Sequence, residues 1–159
     1  MTKIVRRALI STFPTIHSAR HMPSASTTKN PGRSLRVLYA EDLGALRELM
    51  RLVLVPEGHQ LETCTDGSAA CERLVRGPHD FDLLITDHHM PVMNGLELVR
   101  AVRLMPFTGR IIVFSSELNP AIHEEYMRLK VDQVLAKPVR PAALRSLLAQ
   151  MFPLVPQSA

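Results

Sequence analysis

No apolar run in this chain approaches the roughly 20 residues that a helical membrane span needs, so a spanning helix is excluded at the outset. Cysteine is scarce: Cys64 and Cys71 are the only two and stand in no metal-like spacing. A disulfide scaffold and a zinc module are thereby set aside, and two reduced thiols in a cytoplasmic protein are expected. There is no Gly-rich phosphate loop, the usual mark of nucleotide binding. Acid is missing from residues 1–34, which hold Lys3, Arg6, Arg7, Arg20, Lys29 and Arg33. The other 13 basic residues face all 15 acids, so the formal charge of +4 comes from the leader. A basic balance of that origin is poor evidence that the folded part binds nucleic acid.

What is present divides into three segments. Residues 1–34 combine a basic, partly apolar stretch (TKIVRRALISTF) with a Ser/Thr/Pro/Gly linker (SASTTKNPGRS), and are expected to form a disordered leader. Arg and Ser without acid also match an organelle transit peptide, and Met22 is an alternative start. Residues 35–152 carry regular patterning, enough for one domain with its own core. Residues 153–159 form a short tail, and with only FPLVPQSA after Met151 no DNA-binding module is expected.

Within the middle segment β-type and helical patterns alternate. LRVLYA, HQLETC, FDLLIT, RIIVFS and VDQVLA read as strands, the third apolar enough to be buried on both faces. Leu46, Leu49, Met50, Val53 and Leu54 recur at helical spacing before Pro56 and Gly58. Asp66 is a candidate N-cap for a helix closed by Gly77-Pro78. Leu96, Val99 and Val102 mark a third helix. Asn119-Pro120 opens a fourth with Ile122, Tyr126 and Leu129 on one face, and Pro141 a fifth with Leu144, Leu147, Leu148 and Met151 inward. Five strands alternating with five helices predict an α/β fold, a doubly wound parallel sheet covered on both faces.

In such sheets ligands sit at the carboxyl ends of the strands. Glu41-Asp42 follow strand one, Asp87 strand three, Ser115 strand four and Lys137 strand five. Three carboxylates on one edge repel each other unless a cation joins them, and hard oxygen ligands of this kind suit Mg²⁺. Lys137 adds a positive charge and Ser115 a hydroxyl, a cradle for a phosphoryl group at Asp87. Taken singly each residue has an ordinary structural use, as a turn residue, a helix cap or a surface lysine. Jointly they require four coincidences on one edge.

The acidic pair Glu41-Asp42, TDHHMPVMNG around Asp87, FSS with Ser115 and LAKP with Lys137 together resemble the receiver domain of a two-component response regulator, from Leu35 to about Met151. The resemblance implies a flavodoxin-like (βα)5 sandwich with strand order 2-1-3-4-5. It implies phosphorylation of Asp87 by a histidine kinase or histidine phosphotransfer protein, with Mg²⁺ required. In the family the metal is held by residues matching Asp42, Asp87 and the backbone carbonyl of His89, with Glu41 contributing through water. It also implies a cis peptide at Lys137-Pro138. The expected role is a phosphoprotein that signals through protein–protein contact with a downstream target. It is not an enzyme beyond its own phosphorylation and dephosphorylation, and the alternative is a relay passing phosphate to a phosphotransfer protein.

Two features depart from or compete with this reading. Receivers usually carry Tyr or Phe three residues before the site lysine, and here that position is Val134. Asp-His-His also resembles the signature of DHH phosphoesterases, metal-dependent hydrolases that need further Asp and His ligands over a longer chain. His88 and His89 are expected to be loop residues facing the rim of the site, with His89 open to a soft divalent ion. Met90-Pro91 and Asn94-Gly95 are expected to shape the loop, Pro by fixing φ and Gly by permitting positive φ.

Overall fold

The computed structural model describes residues 33–117 and 119–154. The expected leader therefore lies outside the described residues up to residue 32, as does the tail beyond Leu154. The elements alternate strictly: β1 (Arg36–Ala40), α1 (Gly44–Leu54), β2 (Gln60–Cys64), α2 (Gly67–Arg76), β3 (Leu83–Asp87), α3 (Gly95–Val102), β4 (Arg110–Ser115), α4 (Pro120–Arg128), β5 (Gln133–Ala136) and α5 (Pro141–Met151). The strands form one parallel sheet in the order β2-β1-β3-β4-β5. This is the flavodoxin-like sandwich expected above.

Burial follows position in the sheet. All five residues of β3, the central strand, are buried, whereas the edge strands β2 and β5 are only partly covered. One face packs Leu38, Leu84, Ile111 and Val113 against Leu74, Leu98, Val99 and Tyr126. The other packs Tyr39, Ile85, Ile112 and Phe114 against Met50, Leu54, Leu144 and Leu148. Alternate side chains of each strand thus enter different layers, as the strand period of two requires. Leu49, one of the residues that recur at helical spacing in α1, is exposed. It lines an apolar groove between α1 and α5 with Leu46, Met50, Val53, Pro138 and Leu144.

Register carries these elements into a site. Ala40 lies opposite Thr86, Asp87 opposite Phe114 and Ser115 opposite Ala136. The residues that follow in β1 and β5, Glu41 and Lys137, are therefore delivered level with Asp87 and Ser115. Local signals set the helix starts beside them. Asp66 accepts from the Ala69 amide, Asn94 forms a capping box with Glu97, and Asn119 accepts from Ala121 with Pro120 at the first helical position.

Candidate functional site

At the carboxyl edge of the sheet, Glu41, Asp42 and Asp87 bring carboxylate oxygens within 4.8 Å of one another. Glu41 is fully buried and fully partnered. Its Oε2 accepts from the Tyr39 hydroxyl at 2.9 Å and from Lys137 Nζ at 2.9 Å, and its Oε1 accepts from the Leu43 amide at 3.2 Å. Lys137 Nζ also lies 2.9 Å from Asp87 Oδ1, so one ammonium bridges two buried carboxylates. Burial pulls the Lys137 pKa down, but the hydrogen bonds and charges of Glu41 and Asp87 outweigh it, and the net effect is upward. Lys137 is a fixed cation. Burial, with the charge of Glu41, holds the Tyr39 phenol far above its ordinary value, so it acts only as a donor.

Asp87 is anchored by one oxygen. Oδ1 accepts from the His88 amide at 2.8 Å as well as meeting Lys137. Among the described residues no donor reaches Oδ2, which keeps its lone pairs for a ligand or an electrophile. The Asp42 carboxylate and the His89 carbonyl likewise have no protein donor among the described residues. Hard, unpartnered oxygens beside two anchored carboxylates fit Mg²⁺. Asp42 and Asp87, two of the expected ligands, are brought together beside Glu41, which is engaged by Lys137 and Tyr39.

The loop after β3 corrects two expectations. His88 does not face the rim: it is buried, with Nδ1 2.6 Å from the hydroxyl of fully buried Tyr126. Burial first, then the neighbouring His89, keeps its pKa below the usual histidine range. Only His89 is exposed, its ring set edge-on to that of His88 at 4.5 Å. Positive φ falls not on Gly95 but on Val92 (68°). The Met93 amide donates to the Pro91 carbonyl across Val92 at 2.7 Å, a γ-turn. Gly95 is needed for a different reason: a Cβ there would stand 2.3 Å from the Asp87 carbonyl oxygen. The smallest residue lets α3 start directly against the end of β3.

Ser115 is buried at the end of β4 and turned into its own loop. Its Oγ donates to the Glu117 carbonyl at 2.6 Å and accepts from the Glu117 amide at 3.1 Å. Its carbonyl accepts from the Lys137 amide at 2.8 Å, tying β4 to the lysine. The Lys137-Pro138 peptide is cis.

A DHH hydrolase finds no support in this geometry. Among the described residues the one cluster suited to a metal contains no histidine, and His88 is committed to Tyr126. Cys64 and Cys71 are unpaired, and burial pushes the Cys64 thiol up to about 11, away from thiolate chemistry. Sequence reasoning missed Arg47, whose Nη1 donates to the carbonyls of both Glu41 and Asp42. Its place one turn after an acidic pair was the only available signal.

A five-stranded parallel sandwich with an acidic cluster and a lysine on its carboxyl edge defines a flavodoxin-like α/β domain with a polar site at its strand ends. Residues 37–149 match the response regulator receiver domain family. The chain belongs to that family and is a receiver domain of two-component systems. It is 32% identical over 123 residues to the sensory/regulatory protein RpfC of Xanthomonas campestris, a match spanning 75% of this chain but only 17% of that protein. It is 30% identical to the two-component response regulator ORR41 of rice, over 74% of this chain and 94% of that one. Among solved structures, chemotaxis protein CheY4 of Vibrio cholerae superposes with a TM-score of 0.68 at 29% identity, covering 74% of this chain and 98% of that one.

Proposed function

We propose that Asp87 is the phosphoryl acceptor, loaded by a histidine kinase or histidine phosphotransfer protein in a Mg²⁺-dependent step, and that the phosphorylated surface then binds a downstream target protein. The observation that carries this reading is the asymmetry of Asp87: Oδ1 is held by Lys137 and the His88 amide, and Oδ2 is left free. Mg²⁺, held by Asp42, Asp87 and the His89 carbonyl with Glu41 reaching it through water, would supply neutralisation of phosphoryl oxygens. The chain does the rest. Oδ2 attacks phosphorus in line, the phosphorus–nitrogen bond of the donor phosphohistidine breaks, and the imidazole nitrogen leaves with the electron pair. The Lys137 ammonium balances charge on the transferring group, and the Ser115 hydroxyl donates to it after leaving Glu117. On this reading the protein is cytoplasmic and catalyses no reaction but its own phosphorylation and dephosphorylation.

Incubation with acetyl phosphate and Mg²⁺ should add one hydroxylamine-sensitive phosphoryl group, mapped to Asp87 and lost in Asp87→Asn. Label on another residue, or label persisting in that variant, would refute the assignment. A relay reading is favoured by one observation, the match to proteins named as sensor kinases, including AruS of Pseudomonas aeruginosa. Fast return of phosphate to a phosphotransfer histidine would mark a relay, and tighter target binding a switch.

A further inference from the structure

The turn between β1 and α1 meets two demands that pull against each other. It must hold Asp42 in one place, yet leave the Asp42 carboxylate free of protein donors. A helix start is usually fixed by Ser, Thr, Asp or Asn at the N-cap. Here the N-cap is Leu43, with no side-chain cap. The missing restraint comes from inside the helix. Arg47 Nη1, one turn along α1, donates to the Glu41 carbonyl at 2.6 Å and to the Asp42 carbonyl at 2.8 Å. Those two carbonyls belong to the peptide units on either side of the Asp42 Cα. Pinning both planes fixes φ and ψ of Asp42 without touching its side chain. The guanidinium lies back over its own first turn, where a Cβ on Gly44 would meet Nη2 at 3.5 Å.

We propose that Arg47 is a positioning residue for divalent metal binding: it clamps the backbone around Asp42 and so aims that carboxylate into the cluster with Glu41 and Asp87. The proposal rests on the reading of this cluster as a Mg²⁺ site. Partners that orient metal ligands typically change affinity by about 10–100-fold when removed. Charge alone argues the opposite way, because a guanidinium near a divalent cation repels it. Removing Arg47 therefore weakens Mg²⁺ binding if the clamp dominates and strengthens it if charge dominates. Lysine keeps the charge but not the planar, long-reaching donor.

The test is calorimetric titration of the full chain with Mg²⁺ alone, comparing wild type, Arg47→Met, Arg47→Lys and Asp42→Asn. Amide NMR shifts of Asp42 and Leu43 without metal report the turn itself, and thermal unfolding reports folding. We expect both Arg47 variants to fold, to shift those two amides, and to bind Mg²⁺ about tenfold more weakly. Binding by Arg47→Met equal to or tighter than wild type, with Asp42→Asn weakened, would overturn the clamp and leave the metal site standing. Wild-type binding that is absent, or untouched by Asp42→Asn, would overturn both. Arg47→Met failing to fold would shift the decision to Arg47→Lys, where unchanged affinity overturns the proposal.

Discussion

Glu41 and Asp42 are adjacent acids with separate duties, and the difference lies in what each oxygen touches. Glu41 is buried and spends both oxygens on Tyr39, Leu43 and Lys137. A buried carboxylate is tolerable only with partners of this kind, and it repays them by fixing Lys137 over Asp87. Asp42 has no such partners among the described residues, and under the proposed function it is the acid left for a cation. Val92 shows strain at the same scale. It holds φ of 68°, is β-branched, and is 84% exposed, so no packing explains it. A residue held in so sparsely populated a conformation costs about 1–3 kcal/mol, and glycine, without a Cβ, adopts positive φ freely. Val92→Gly should therefore stabilise the domain by about 1 kcal/mol, read as a higher urea midpoint with an unchanged slope. A lower midpoint would mean that the valine contributes something the exposed turn does not reveal.

Among the elements, α4 is tied to the loop after β3 by a buried side-chain bond. Its N-terminus is set by Asn119, but its middle is held by Tyr126, whose hydroxyl meets His88 inside the protein. That bond crosses between an amphipathic helix and the residue whose amide holds Asp87. Tyr126→Phe leaves His88 Nδ1 buried without a partner and should cost about 1–3 kcal/mol. Adding His88→Leu removes the orphaned nitrogen as well, and should recover part of that loss, because deleting both partners is far less costly than deleting one. Equilibrium unfolding of the single and double variants checks both values. An unchanged midpoint in Tyr126→Phe would mean that the hydroxyl contributes nothing to stability.

Across the whole molecule, the arrangement of Ser115 and Val134 decides how phosphorylation would spread. For Ser115 Oγ to reach a phosphoryl group it must give up both bonds to Glu117. That frees the loop leading to Asn119 and the start of α4. Val134 on β5 is β-branched, with few rotamers and no ring to bury, so that position offers no ring to reorient. A phosphoryl mimic on the full chain should therefore shift the NMR signals of Ser115, Glu117 and Asn119 strongly and those around Val134 weakly. Equal shifts across Val134 and α5 would show that the two faces are coupled by another route.

Much of this protein is written locally. The six-residue β-type stretches became β1 to β5, and Asp66, Asn119 and Pro120 marked helix starts within a turn of where they fall. The positions of Glu41, Asp42, Asp87, Ser115 and Lys137 followed from strand ends and parallel register, because each strand delivers its last residue to the same edge. Tertiary structure alone decided which polar atoms are satisfied. Lys137 meets Glu41 from 96 residues away, and Tyr126 meets His88 from 38. Leu49 faces a groove rather than the core because of where α5 lies. Gly95 is demanded by the approach of the Asp87 carbonyl, not by its own φ. Propensity and periodicity act over a few neighbours along the chain, whereas a hydrogen-bond partner or a steric limit depends on which distant segment packs there.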